Sequence, residues 1–122
     1  MSRPNTRIGH VHLKVRDLER SVAFYRRVLG LEVTERAGAG FAFLSGGDAH
    51  HELALQEVGE GAGSPPRRSV GLYHTAWEVP DREAFADARE ALSEAGVSAR
   101  AVDHGISWAL YFRDPDGQGV EI

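Results

Sequence analysis

The sequence predicts an α+β fold made of two βαβββ modules whose strands form a curved mixed sheet with the helices outside it. Three observations carry this expectation. Residues 8–31, IGHVHLKVRDLERSVAFYRRVLGL, return in weaker form as LYHTAWEVPDREAFADAREALSEAGV from Leu72. In each copy a His (His10, His74) opens a run of alternating side chains, the period of a half-buried strand. In each copy an Asp seven residues after that His (Asp17, Asp81) can cap a helix, and a Gly (Gly30, Gly96) can close it about three turns later.

The elements follow in order. A strand over 8–15 places Val11, Leu13 and Val15 on one face and His10, His12 and Lys14 on the other. Three polar side chains on one face are an odd set to bury unless that face is a site. The helix over 18–29 carries Leu18, Val22, Tyr25 and Val28 as one apolar stripe that covers the strand's apolar face. Residues 31–36, 40–45 and 50–57 read as three more strands, broken by Ala37-Gly38-Ala39 and by Gly46-Gly47-Asp48. The Gly- and Pro-rich stretch over 58–69 links the copies. The second copy predicts a strand over 71–79 and a helix over 82–95, with Phe85, Ala88, Leu92 and Ala95 inward. Strands over 97–102 and 107–113 follow, then the turn Asp114-Pro115-Asp116-Gly117 and the final Gly119-Val120-Glu121-Ile122. The whole is expected to be one domain over 1–122, with modules at about 7–57 and 70–122.

Composition narrows the function. Of 122 residues, 42% are hydrophobic and 26% charged, a mixture able to bury a core. The chain has no Cys, hence no disulfide framework and no thiolate metal site, which fits a reducing cytoplasm. No apolar run approaches a membrane span, and MSRPNTR lacks the apolar segment of a signal peptide. A formal charge of -4 with scattered Lys and Arg argues against nucleic acid, leaving a small molecule as the expected partner.

Laying residues 41–53 over 110–122 needs no gap, and it matches Phe41 and Phe43 with Leu110 and Phe112, and Glu52 with Glu121. The inner face of the sheet is then expected to carry His10, His74, Glu52 and Glu121. Neutral imidazoles with a carboxylate suit Fe(II), Mn, Ni or Zn and leave positions open for an oxygen-bearing substrate. A lone strand His is more often packed or solvated, but two at equivalent places in a repeat are not independent accidents.

The pattern from His10 to Leu31, with Asp-Leu-Glu-Arg-Ser, Phe-Tyr and Leu-Gly-Leu, joined to His74-Thr-Ala-Trp-Glu-Val and the terminal Asp-Pro-Asp-Gly with Val-Glu-Ile, resembles the vicinal oxygen chelate superfamily. That superfamily includes glyoxalase I, type I extradiol dioxygenases, fosfomycin-modifying enzymes and bleomycin-binding proteins. The resemblance spans residues 8–122 and implies His10, His74 and Glu121 as metal ligands, in an assembly that is often a homodimer.

It also frames a choice of reaction. In glyoxalase I the first module supplies a fourth ligand from the place equivalent to the final Glu, which the gap-free overlay assigns to Glu52. In extradiol dioxygenases a His-His pair before Leu-Ala puts its second His beside the metal as an acid-base group, which matches His51. A Tyr ten residues before the Glu ligand holds the substrate oxygen, matching Tyr111, and the run Asp103-His104-Gly105-Ile106-Ser107 resembles a motif of small extradiol-like proteins, with His104 serving substrate or oxygen. Neighbours on a regular strand face opposite ways, so His51 and Glu52 are not expected to reach the metal together without a bulge. His12 reads as a pocket-lining or plain polar strand residue, and residues 114–117 as a turn only. Three side chains against one register argument favour an Fe(II)-dependent enzyme that opens a catechol-like ring with dioxygen. A glyoxalase-like Ni or Zn lyase or isomerase is the alternative, and a non-catalytic antibiotic-binding protein a third.

Overall fold

The computed structural model describes residues 2–122. It contains β1 (Val11–Val15), α1 (Leu18–Leu29), β2 (Glu32–Ala37), β3 (Phe41–Ser45), β4 (Leu53–Glu57), β5 (His74–Ala76), α2 (Arg82–Glu94), β6 (Arg100–Asp103), β7 (Trp108–Arg113) and β8 (Gly119–Glu121). The described residues divide into two compact units, 2–26 with 30–61, and 62–122 with 27–29. Each unit holds a four-stranded mixed sheet, ordered β1-β4-β3-β2 in the first and β5-β8-β7-β6 in the second. The order is the same walk made twice, so the two βαβββ modules expected from sequence are present, each with a sheet of its own. In each, the first strand runs parallel to the last, which runs antiparallel to its hairpin partner.

The helices form where their caps dictate. Asp17 is extended at the start of α1, and its carboxylate accepts from the Arg20 amide at 3.0 Å. Gly30 ends the helix at φ 68°, where its amide donates to the Arg26 carbonyl at 3.0 Å, a left-handed turn that a Cβ would disfavour. Glu57, at the end of β4, accepts from the Leu18 amide at 2.9 Å and ties the first turn of α1 to the sheet. Leu18, Val22, Tyr25 and Val28 are buried, as are Leu13 and Val15 of β1. In the second unit Asp81 accepts from the Ala84 amide at 2.8 Å, and Ala88 and Leu92 are the buried residues of α2.

The strands are shorter than their sequence patterns. His10 lies just before β1, and His50, His51 and Glu52 lie in the connection before β4, although the Glu52 backbone still donates to the Leu44 carbonyl and accepts from the Val11 amide. The hairpin connections differ as well, with 46–52 between β3 and β4 and 114–118 between β7 and β8, two residues fewer. The second of these is the expected turn. Asp114 is buried, its carboxylate accepts from the amides of Asp116 and Gln118, and Gly117 takes φ 83°.

The difference in hairpin length overturns the gap-free overlay. Phe43 faces Ala54 across the first hairpin, and Tyr111 faces Glu121 across the second. On the parallel side His12 pairs with Ala54 and Ala76 with Glu121. His10 and His74 are equivalent because each lies seven residues before its capping Asp. Ala54 therefore holds in the first unit the place that Glu121 holds in the second, Phe43 holds the place of Tyr111, and Glu52 corresponds to Gly119. Sequence alone cannot count residues lost inside a turn, and the overlay slipped there.

Candidate metal and substrate site

In the second unit the polar face of the sheet is built from three strands. His74 opens β5 and Glu121 ends β8, with side chains 32% and 25% exposed and His74 Nε2 3.4 Å from Glu121 Oε1. Two ligands held ~2.1 Å from one ion at angles between octahedral and tetrahedral lie about 3.0–3.4 Å apart, so this pair fits a shared divalent ion. Tyr111 is the cross-strand neighbour of Glu121, which puts the two side chains on the same face of the sheet. His104 Nε2 lies 3.3 Å from the Tyr111 hydroxyl. Partial burial first, then the neighbouring Glu121 carboxylate, push the Tyr111 hydroxyl above its ordinary pKa. The Arg100 guanidinium, 5.2 Å from the Tyr111 ring centre, opposes that shift without cancelling it. Tyr111 is thus kept as a neutral donor beside a carboxylate.

His104 owes its position to the turn between β6 and β7. Asp103 accepts from the Gly105 amide at 2.7 Å, Gly105 takes φ 87°, and the His104 amide donates to the Ser107 carbonyl at 2.8 Å. A groove of about 500 Å3 opens beside it, lined among others by Trp77, Phe85, His104, Trp108 and Glu121. The groove combines two indoles and a phenyl ring with the polar side chains of Glu78, His104, Ser107 and Glu121, a mixture that can meet an aromatic molecule carrying oxygen.

In the first unit the polar face gathers His10, His12, Phe41 and Phe43. His51 stacks against His10 with ring centres 4.7 Å apart and against Phe43 at 4.9 Å. Partial burial first, then the neighbouring His10 and His50, hold the His51 pKa below its ordinary value, so His51 is neutral near pH 7. His12 Nε2 lies 3.0 Å from the Gln56 side-chain oxygen, a strand-to-strand contact. Glu52 turns the other way. Its carboxylate accepts from the Gly46 amide at 2.9 Å and closes the β3–β4 turn.

Of the three expected ligands, His74 and Glu121 meet in the second unit, and His10 lies in the first, beside His51. Among the described residues no three His, Asp or Glu side chains are grouped so as to hold a metal ion. No described helix is long and apolar enough to cross a membrane.

A sequence profile of the Glyoxalase/Bleomycin resistance protein/Dioxygenase superfamily matches residues 7–122. The chain belongs to this superfamily. It is 39% identical over 119 residues to a catechol-2,3-dioxygenase of Bacillus subtilis, a match covering 97% of this chain and 41% of that enzyme. The chain thus spans less than half of that relative. It is also 33% identical to the glutathione transferase FosA of Serratia marcescens, over 94% of this chain and 78% of that protein. A crystal structure of a glyoxylase/bleomycin resistance protein/dioxygenase domain from Frankia sp. EAN1pec superposes with a TM-score of 0.78 at 26% identity, covering 95% and 94% of the two chains.

Within a superfamily defined by a repeated module, the residues that sequence reasoning missed are those placed by tertiary register. Gly119 is one. A Cβ there would lie 2.5 Å from the Tyr73 carbonyl oxygen and 3.0 Å from the His74 Cβ, so only glycine lets β5 and β8 approach closely enough to bring His74 to Glu121. Trp77 and Trp108 are others, since their sequence neighbours read as ordinary strand. Replacing Glu52 with Ala tests its place directly. The substituted protein should retain its full metal content, because the carboxylate serves a turn, and elemental analysis showing loss of metal would make Glu52 a ligand.

Proposed function

We propose that this chain acts as a metal-dependent dioxygenase that opens a catechol-like aromatic ring, with His10, His74 and Glu121 holding the metal. The observation that carries this reading is Tyr111, which faces Glu121 across the β7–β8 ladder and has its hydroxyl 3.3 Å from His104 Nε2, both of those partners lining the groove. The donor set of two imidazoles and one carboxylate fits Fe(II) first, with Mn, Ni and Zn also accommodated. When bound, such an ion supplies a site for two adjacent substrate oxygens and for dioxygen. Tyr111, neutral because ionisation beside Glu121 is unfavourable, donates a hydrogen bond to a substrate oxygen at the Glu121 end of the groove. His104 holds the Tyr111 oxygen in place. His51, neutral near pH 7 and close to His10, accepts and returns the proton that the substrate hydroxyl loses. Trp77 and Trp108 pack on the faces of the ring and keep water from it.

A glyoxalase-like lyase has less support, because the place in the first unit equivalent to Glu121 is Ala54, which has no donor atom, and Glu52 is engaged in the turn. The likeness to a glutathione transferase keeps a glutathione adduct among the substrates to be assayed. The reading includes a homodimer working in the cytoplasm, supported by the absence of Cys and by the exposed apolar side chains of Val70, Leu72, Ile106 and Trp108.

The test is metal analysis of protein purified without oxygen, followed by parallel assays with a catechol and with the methylglyoxal-glutathione adduct. Ring cleavage of the catechol is expected. Turnover of the adduct with no action on catechols would reverse the reading. Tyr111→Phe should lower ring cleavage on the order of tenfold, the factor one ordinary hydrogen bond supplies, with metal content unchanged. An unaltered rate in that variant would remove Tyr111 from the chemistry.

A further inference from the structure

Beyond the ligands and their immediate neighbours, a line of three polar side chains in the first unit ends at His51. Glu35 on β2 lies with its Oε1 3.1 Å from His50 Nε2, and His50 Nδ1 lies 2.8 Å from His51 Nδ1. Glu35 reaches this face through an irregularity in the ladder. Val33 pairs with Leu44 and Glu35 with Phe43, so Thr34 is the extra residue, and Glu35 instead of Thr34 stands opposite Phe43, whose ring touches His51. Bulges that re-aim a side chain in this way recur beside functional sites.

When both rings carry a single hydrogen, the contacts fix where those hydrogens are. A neutral imidazole has one N–H and one bare nitrogen, and an ionised carboxylate only accepts. His50 must therefore carry its hydrogen on Nε2, facing Glu35, which leaves its Nδ1 bare. Two bare nitrogens 2.8 Å apart would repel, so His51 carries its hydrogen on Nδ1 and donates it to His50. The other His51 nitrogen, Nε2, is then an unprotonated lone pair.

We propose that Glu35 and His50 are positioning residues that lock His51 in the Nδ1–H tautomer and orient its ring, so that Nε2 is left bare and facing away from His50. The tautomer stands on this geometry alone, and its consequence for turnover rests on the ring-opening reading given above. The sequence hid the arrangement because Glu35 is fifteen residues from His50 and looks like any charged residue of an edge strand. The logic is that of other orienting partners, which fix the ring and tautomer of a working His through its far nitrogen.

The experiment is long-range proton–nitrogen NMR of the imidazole rings in the 15N-labelled full chain at pH 8, with His51 assigned by the signals lost in His51→Gln. In the unaltered protein the His51 Nδ1 should resonate as a protonated nitrogen and Nε2 as a bare one. His50→Phe removes the acceptor and Glu35→Ala frees the His50 ring, so each should shift the His51 pattern toward hydrogen on Nε2. Both positions are more than half exposed, so the fold should persist, which the dispersion of the amide spectrum reports in the same samples. Hydrogen on Nε2 of His51 in the unaltered protein, or a pattern unmoved by His50→Phe, overturns the proposal. A kinetic arm then separates it from the function. With a catechol, Glu35→Ala should lower kcat on the order of tenfold, the lower end for loss of an orienting partner, with little change in KM. A tautomer shift with an unchanged kcat would refute the catalytic consequence while the tautomer assignment holds, and absence of any catechol turnover in the unaltered protein would count against the functional reading only.

Discussion

Replacing His74 with alanine should give a folded protein that no longer keeps its metal. The imidazole is about one-third exposed and outside the buried core, and β5 is held to β8 by backbone pairing that the side chain does not enter. The cost in stability should therefore stay within about 1 kcal/mol, the usual range for a substitution outside the core. The loss of affinity should be far greater. Even groups that only orient a ligand change affinity about 10–100-fold when removed, so deletion of a ligand is expected to exceed about a hundredfold. Metal content after dialysis, measured beside the thermal transition followed by circular dichroism, separates the two effects. A His74→Ala protein that retains one metal per chain would show that His74 is not a ligand.

Gly119→Ala should destabilise the second unit and weaken the metal site through the same displacement. The backbone at Gly119 is not in a left-handed region, so conformation is not the reason. Space is. The added Cβ would meet the Tyr73 carbonyl oxygen at 2.5 Å and the His74 Cβ and Cα at 3.0 and 3.4 Å, and a backbone oxygen cannot swing aside as a flexible side chain can. β5 must move away from β8, at a cost of about 1–3 kcal/mol, or a fall in Tm of roughly 5–15 °C. Because His74 is itself the obstructed residue, its imidazole would leave the 3.4 Å relation with Glu121, and metal affinity should fall with stability. A thermal transition unchanged from the parent protein would mean that the strands do not approach as closely as described.

The sequence determined the module and its repetition. The helix α1 could be placed over Leu18–Leu29 because the signals are local: a capping Asp17, an apolar stripe at helical spacing, and Gly30 where the chain must turn left-handed. The same holds for α2 and for the turn at Asp114, whose carboxylate closes on amides two and four residues away. The pairing of His10 with His74 was also legible, each seven residues before its capping Asp.

Only the tertiary structure decided register and aim. The overlay that equated Glu52 with Glu121 failed because two hairpin connections of unequal length bring different residues opposite each other, and a strand pattern does not record how many residues a turn consumes. Whether His51 or Glu52 faces the polar side was likewise out of reach of alternation, since both lie before β4 begins, where the two-residue period no longer applies and hydrogen bonds to Gly46 and His50 set the direction. Glu35 became visible only when a bulge turned it toward His50. Local chemistry fixes which elements form, because caps, stripes and turns act over a few residues, whereas the site depends on pairings between residues far apart in the chain, and those are selected by how the strands pack and not by what each strand contains.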